Sequence, residues 1–198
     1  MKRTIVTIVA MLIGSILFLS ISGCNSKNSD IVVTVNGEAI YEYQLENVMK
    51  QSTDNSISRE DLLENSINQL VVVQYGKKAN VSIDDAYFDD YINRYKSGYP
   101  EYFAKGIEVY GEEEFINGLR YHLIYQKTRE KIISEKFSGI ETSENILILY
   151  IKEKGLQIEL SKENYNLVKE KYITEKQEEL FDEWVAEQRS NSEIEYFE

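Results

Sequence analysis

The stretch that decides the fold is Ile31-Val32-Val33-Thr34-Val35-Asn36-Gly37, read together with Glu193-Ile194-Glu195-Tyr196-Phe197 near the other end of the chain. The first is dense in β-branched residues, which suit a pleated and half-buried surface. It closes on Asn-Gly, a pair that adopts positive φ readily. The second alternates polar and apolar residues with the period of a strand. A short strand is not stable alone. Pairing 31–35 with 193–197 gives each a partner and brings the two ends of the region together.

Between these ends the periodicity is helical. Glu38-Ala39-Ile40 leads into a helix near Tyr43 to Gln51, which the polar stretch Ser52 to Ile57 ends. Ser58-Arg59-Glu60-Asp61 has the form of an N-cap followed by first-turn acids. Leu63, Ile67, Leu70, Val71 and Tyr75 then recur at spacings of three and four, so this run is read as helix although Leu70 to Val73 alone could be a strand. Ser82-Ile83-Asp84-Asp85 repeats the capping signal and opens a third helix to about Lys96, stopped by Gly98-Tyr99-Pro100. A short helix is expected near Glu101 to Lys105, and a long one over Glu112 to Phe137 that buries Phe115, Ile116, Leu119, Leu123 and Ile124. Gly139 breaks it. Thr142 is placed as the cap of a helix through Lys154, with Gly155 at its end. Leu156 to Leu160 alternates but is too short to separate strand from loop. Ser161 is expected to open the last long helix, whose stripe runs through Tyr165, Val168, Tyr172, Ile173, Leu180 and Trp184 to about Gln188.

Residues 1–23 read as a targeting segment. Lys2 and Arg3 precede an apolar run from Ile5 to Ile21, and small residues follow. The run is close to the length that spans a bilayer, so a membrane helix is the competing reading. Ile21-Ser22-Gly23-Cys24 decides between them, because it is similar to the lipobox of bacterial lipoproteins, where a cysteine thiol takes a diacylglyceryl group. Cys24 is the single cysteine, so no disulfide competes for it. The expectation is a lipoprotein signal over 1–23, a flexible polar tether over 24–30 and one helical domain over 31–198, closed by the helix and strand of 161–198. Losing Lys2 and Arg3 with the signal takes the net charge from −12 to −14. So acidic a body repels nucleic acid and anionic headgroups, leaving the lipid to hold the chain at a membrane.

Three stretches carry a family likeness. They are Val33-Thr34-Val35-Asn36-Gly37-Glu38-Ala39-Ile40; the succession from Leu62 through Tyr75, Val81 to Asp85 and Gly111 to Phe115; and Phe181-Asp182-Glu183-Trp184-Val185 leading to Ile194-Glu195-Tyr196. In order and spacing they resemble the helical chaperone domain of SurA/PrsA-type extracytoplasmic folding factors. That resemblance implies a mainly α fold in which the N- and C-terminal segments of the mature chain fold together. It implies chaperone activity on unfolded or newly exported polypeptides, without a cofactor. The parvulin-type prolyl isomerase domain that often interrupts this family has no counterpart here. The stretch between Gly139 and Ser161 is too short for a domain, and no parvulin pattern is present, so isomerase activity is not expected.

Candidate chemistry is sparse. His122 is the single histidine, and no spacing supplies it with a nucleophile or an orienting partner. Asp84/Asp85, Asp89/Asp90, Glu112 to Glu114 and Glu178/Glu179 are acidic pairs and runs of the kind found in solvated faces and first helical turns. No calcium-loop pattern is present. The aromatic density from 87 to 110 is more informative. Tyr87, Phe88, Tyr91, Ile92 and Tyr95 crowd one helix, and Tyr99, Tyr102, Phe103 and Tyr110 follow. Core packing accounts for part of this set. The remainder suggests a wet cleft for apolar segments, since tyrosine combines an apolar body with a polar tip. Acidic surroundings would favour positively charged clients. The expected function is therefore an ATP-independent, membrane-tethered chaperone on the extracytoplasmic face. The alternatives are a lipoprotein with one dedicated folded partner and, more remotely, a prolyl isomerase.

Overall fold

The computed structural model describes residues 30–51 and 57–197. Cys24, the signal and most of the tether lie outside them. Ten elements follow in order: β1 (Ile31–Val35), β2 (Glu38–Tyr41), α1 (Glu42–Gln51), α2 (Arg59–Lys78), α3 (Asp85–Gly98), α4 (Pro100–Tyr110), α5 (Glu112–Lys136), α6 (Glu144–Glu153), α7 (Tyr165–Ser190) and β3 (Ile194–Tyr196). The chain is mainly helical, with one small antiparallel sheet.

The sheet has the order β2-β1-β3. β1 pairs with β3 through Val33↔Tyr196, Thr34↔Glu195 and Val35↔Ile194, so the two ends of the described chain meet. Its other edge is taken by β2, where the sequence predicts only the entry to a helix. Asn36 at φ 50° and Gly37 at φ 80° make the two-residue turn between them, the geometry that suits the right-handed twist of paired strands. β2 has only four residues and runs straight into α1, too little for a period of two to declare itself.

Asn36 ties the turn to its surroundings. Its amide donates to Gln74 Oε1 of α2 at 2.7 Å, and Gln74 Nε2 in turn donates to the Val35 carbonyl at 2.8 Å. Asn36 Oδ1 accepts from the Glu193 N–H at 3.0 Å, and the Asn36 N–H donates to the Glu193 carbonyl at 2.7 Å. One side chain thus joins the hairpin, α2 and the approach to β3.

Residues 30–128 with 188–197 form one compact unit, and Arg129–Glu187 a second. In the first, Val33, Val35, Ile40, Leu45, Ile67 and Leu70 make a core between the sheet and helices α1 and α2. Ser58 caps α2 in a full capping box with Asp61. Gly76 of α2 faces Thr128 of α5, where a Cβ would lie 2.0 Å from Thr128 Oγ1. In the second unit, Leu147, Tyr150 and Ile151 of α6 pack with Val168 of α7.

Three boundaries differ from the sequence expectation. α4 continues to Tyr110 rather than ending near Lys105, because Gly106 is a buried packing residue and not a break. Ser143, not Thr142, caps α6, accepting from the Ile146 N–H. α7 begins at Tyr165 rather than Ser161, and Leu156 to Leu160 has no regular structure. Asn164 holds that approach, accepting from the Ser161 N–H at 2.8 Å and donating to the Glu159 carbonyl at 2.8 Å.

Candidate functional site

The aromatic residues of 87–110 lie on α3, on α4 and, for Tyr99, between them, and close against Phe115, Leu119 and Leu123 of α5, all within the first unit. Asp84 caps α3 by accepting from the Tyr87 N–H, and Pro100 sits in the first turn of α4, where its missing N–H costs nothing. The two helices share Tyr99 as C-cap of one and N-cap of the next. Phe88, Tyr95, Phe103 and Tyr110 are buried with Ile83, Phe115, Leu119 and Leu123. Phe103 meets Phe115 edge-on at 5.4 Å, and Tyr95 lies 6.2 Å from Phe103. Gly106 permits that closeness, since a Cβ there would stand 2.2 Å from the Phe115 ring.

Burial divides the nine candidates. Phe88, Tyr95, Phe103 and Tyr110 are interior and offer no surface, so they are the part of the set that core packing accounts for. The physical reason is the i, i+3, i+4 geometry of α3 and α4, which turns these positions onto α5. Tyr91 and Ile92 are partly buried against the same core. Tyr87, Tyr99 and Tyr102 are 43%, 38% and 44% exposed.

The exposed rings rest on an ordered base. Tyr91 stacks on Tyr95 with centroids 6.1 Å apart, and Tyr95 meets Tyr99 at 5.6 Å. The Lys127 ammonium sits 4.7 Å from the Tyr87 ring centroid, and the Arg120 guanidinium 4.1 Å from that of Phe88, held by a 2.8 Å bond to Asp85. Cations over ring faces are held by the ring quadrupole. Burial raises the Tyr95 phenol above its ordinary value and carries Tyr91 to about 12, so both remain neutral donors at physiological pH. The surface therefore offers tyrosine faces and hydroxyls.

His122 is buried on α5, and neither ring nitrogen has a hydrogen-bond partner among the described residues. Desolvation lowers its pKa to about 4, leaving a neutral imidazole with nothing to activate. The acidic pairs have structural partners: Asp85 with Arg120, Asp90 with Arg94, Glu178 with Arg129 and Glu179 with Lys176. Glu112 to Glu114 occupy the first turn of α5. Among the described residues no group of three or more His, Cys, Asp or Glu is placed to hold a metal, and no helix is long and apolar enough to cross a membrane.

The second unit carries features that the sequence reading did not single out. A surface depression of about 500 Å³ is lined by Glu144, Leu160, Ser161, Lys162, Tyr165 and Asn166. Ile148, Leu149, Ile158 and Leu167 are exposed nearby in sequence. Their signal in the sequence is the unbroken apolar run Ile146 to Ile151, longer than one helix face can bury.

No protein-family model and no curated protein matches the chain.

Proposed function

We propose that this protein is a membrane-tethered chaperone that holds unfolded or newly exported polypeptides without ATP, engaging them through the exposed tyrosines of α3 and α4. The observation that carries this reading is the exposure of Tyr87, Tyr99 and Tyr102, each more than a third exposed on helices whose other aromatic residues pack the core. A rigid aromatic ring binds apolar segments at low entropic cost, and its hydroxyl keeps the surface wet between clients. The resemblance to SurA/PrsA-type factors supports the same reading, as does the meeting of β1 with β3 at the closed ends. A lipid on Cys24 would concentrate the domain where unfolded chains emerge, raising effective concentration without new contacts.

The test is site-specific capture. A photo-crosslinking side chain at Tyr102 is expected to trap a chemically unfolded test protein but not its native form. The same group at Glu130, exposed on α5, is expected to trap neither. Equal capture of native and unfolded protein at Tyr102 would remove the holding function and favour a dedicated folded partner.

A further inference from the structure

We infer that the outer face of α6 is a contact surface between two copies of this chain, paired antiparallel about Ile148. The helix reads ENILILYIKE, with six consecutive apolar residues from Ile146 to Ile151. A helix apolar on all sides belongs in an interior. Its own unit covers only one side: Leu147, Tyr150 and Ile151 are buried, while Ile148 and Leu149 are 47% and 56% exposed. Leu167, in the first turn of α7, is 70% exposed and adds to the uncovered apolar surface of the same unit.

Charge selects the occupant. The chain carries a net charge of −12, so two copies repel on most approaches. The stretch 144–171 is different, with five lysines, five glutamates and no other ionised side chain, hence no net charge. Two copies meet there with less repulsion than the net charge of the chain implies, although Glu175 also lies on Lys154 and Lys171; a stretch without net charge has no pull on anionic lipid. The helix is also self-complementary. Glu144, Ile148 and Lys152 are exposed and recur every four residues, so they form one stripe with opposite charges at its ends. Each charge stands about 6 Å along the axis from Ile148.

A two-fold axis through Ile148 sets Glu144 of each copy against Lys152 of the other, and Ile148 against itself. A parallel arrangement would set like charges together. Among the described residues neither Glu144 nor Lys152 forms an ion pair within the chain, so both are available. An unfolded client has no fixed charge order to match this stripe; a second copy has.

The test uses the full chain in detergent under mild oxidation. Ile148→Cys is expected to form covalent dimers, while Ser134→Cys, exposed on α5, is not; both variants retain Cys24, whose sulfur the proposed lipid occupies, and any unlipidated fraction contributes equally to each. Adding Lys152→Glu to Ile148→Cys should lower the dimer yield on the order of tenfold, and adding Glu144→Lys to that variant should restore it. Because substitution at Ile148 can itself weaken packing, sedimentation of the unaltered chain with micelles in excess provides a second measurement, expected to give two copies per particle. A single-copy mass, cross-linking no faster than at Ser134→Cys, or a yield indifferent to Lys152→Glu would each overturn the proposal. Cross-linking of Ile148→Cys to added unfolded protein in place of a second copy would assign the face to clients.

Discussion

His122 shows how much one buried side chain can decide. Its imidazole is neutral in the fold, with a pKa near 4 against 6.5 for the unfolded chain. On acidification from pH 6.5 to 4 the unfolded state takes up a proton that the fold cannot, so stability is full above that window and falls within it. Between pH 7.5 and 5 the expected loss from this residue is about 2 kcal/mol. Amide hydrogen exchange across 112–128 should record it, and His122→Phe should remove this part of the pH dependence while the carboxylate contribution remains. Gly106 carries a second prediction. Alanine improves intrinsic helix propensity by about 1 kcal/mol. The added methyl, however, would overlap the Phe115 ring, which is buried and held edge-on by Phe103. Overpacking of that kind costs about 1–3 kcal/mol, so Gly106→Ala should lower the denaturation midpoint of the first unit, not raise it.

At the scale of elements, β1 is the central strand and Asn36 its fastening. Asn36→Ala removes three side-chain hydrogen bonds, to Gln74, Ser192 and the Glu193 N–H, and puts a Cβ-bearing residue without a compensating polar group at φ 50°. The expected cost is about 2–3 kcal/mol. Its signature is early loss of amide protection at Glu195 and Phe197, while α3 and α4 keep theirs. Much of this level could be read from sequence. The cap at Ser58, the stripe Leu63, Ile67, Leu70, Val71 and the pairing of β1 with the tail rest on local chemistry that a sequence displays. β2 was not legible, because four residues abutting a helix carry no measurable period. The length of α4 was not legible either. Gly106 looks like a break until Phe115, nine residues on, is seen to need its space. Which tyrosines remain exposed depends on how α3 and α4 meet α5, and periodicity within one helix does not contain that.

At the scale of the molecule, an acidic chain presents two exposed apolar features, one in each compact unit. The exposed tyrosines of the first suit varied and reversible contacts, since each ring is large, rigid and hydroxylated. The aliphatic face of α6 in the second suits one shape-matched contact. Separate substitutions should therefore separate the two roles. Tyr87→Ser, Tyr99→Ser and Tyr102→Ser together should reduce holding of unfolded protein several-fold. All three positions are exposed, so the far-ultraviolet circular dichroism should be unchanged. Lys152→Glu should reduce self-association and leave holding by the tyrosines largely intact. Added salt should weaken the ion pairs at α6 more than the ring contacts.

The central claim is that this chain holds unfolded polypeptides without ATP. Light scattering tests it most directly: a chemically unfolded test protein is diluted into buffer containing the full chain in detergent, without nucleotide, across a range of ratios. The account predicts dose-dependent suppression of aggregation that saturates near stoichiometric ratio. Scattering unchanged at every ratio, with the helical signal of the chain intact, would contradict it.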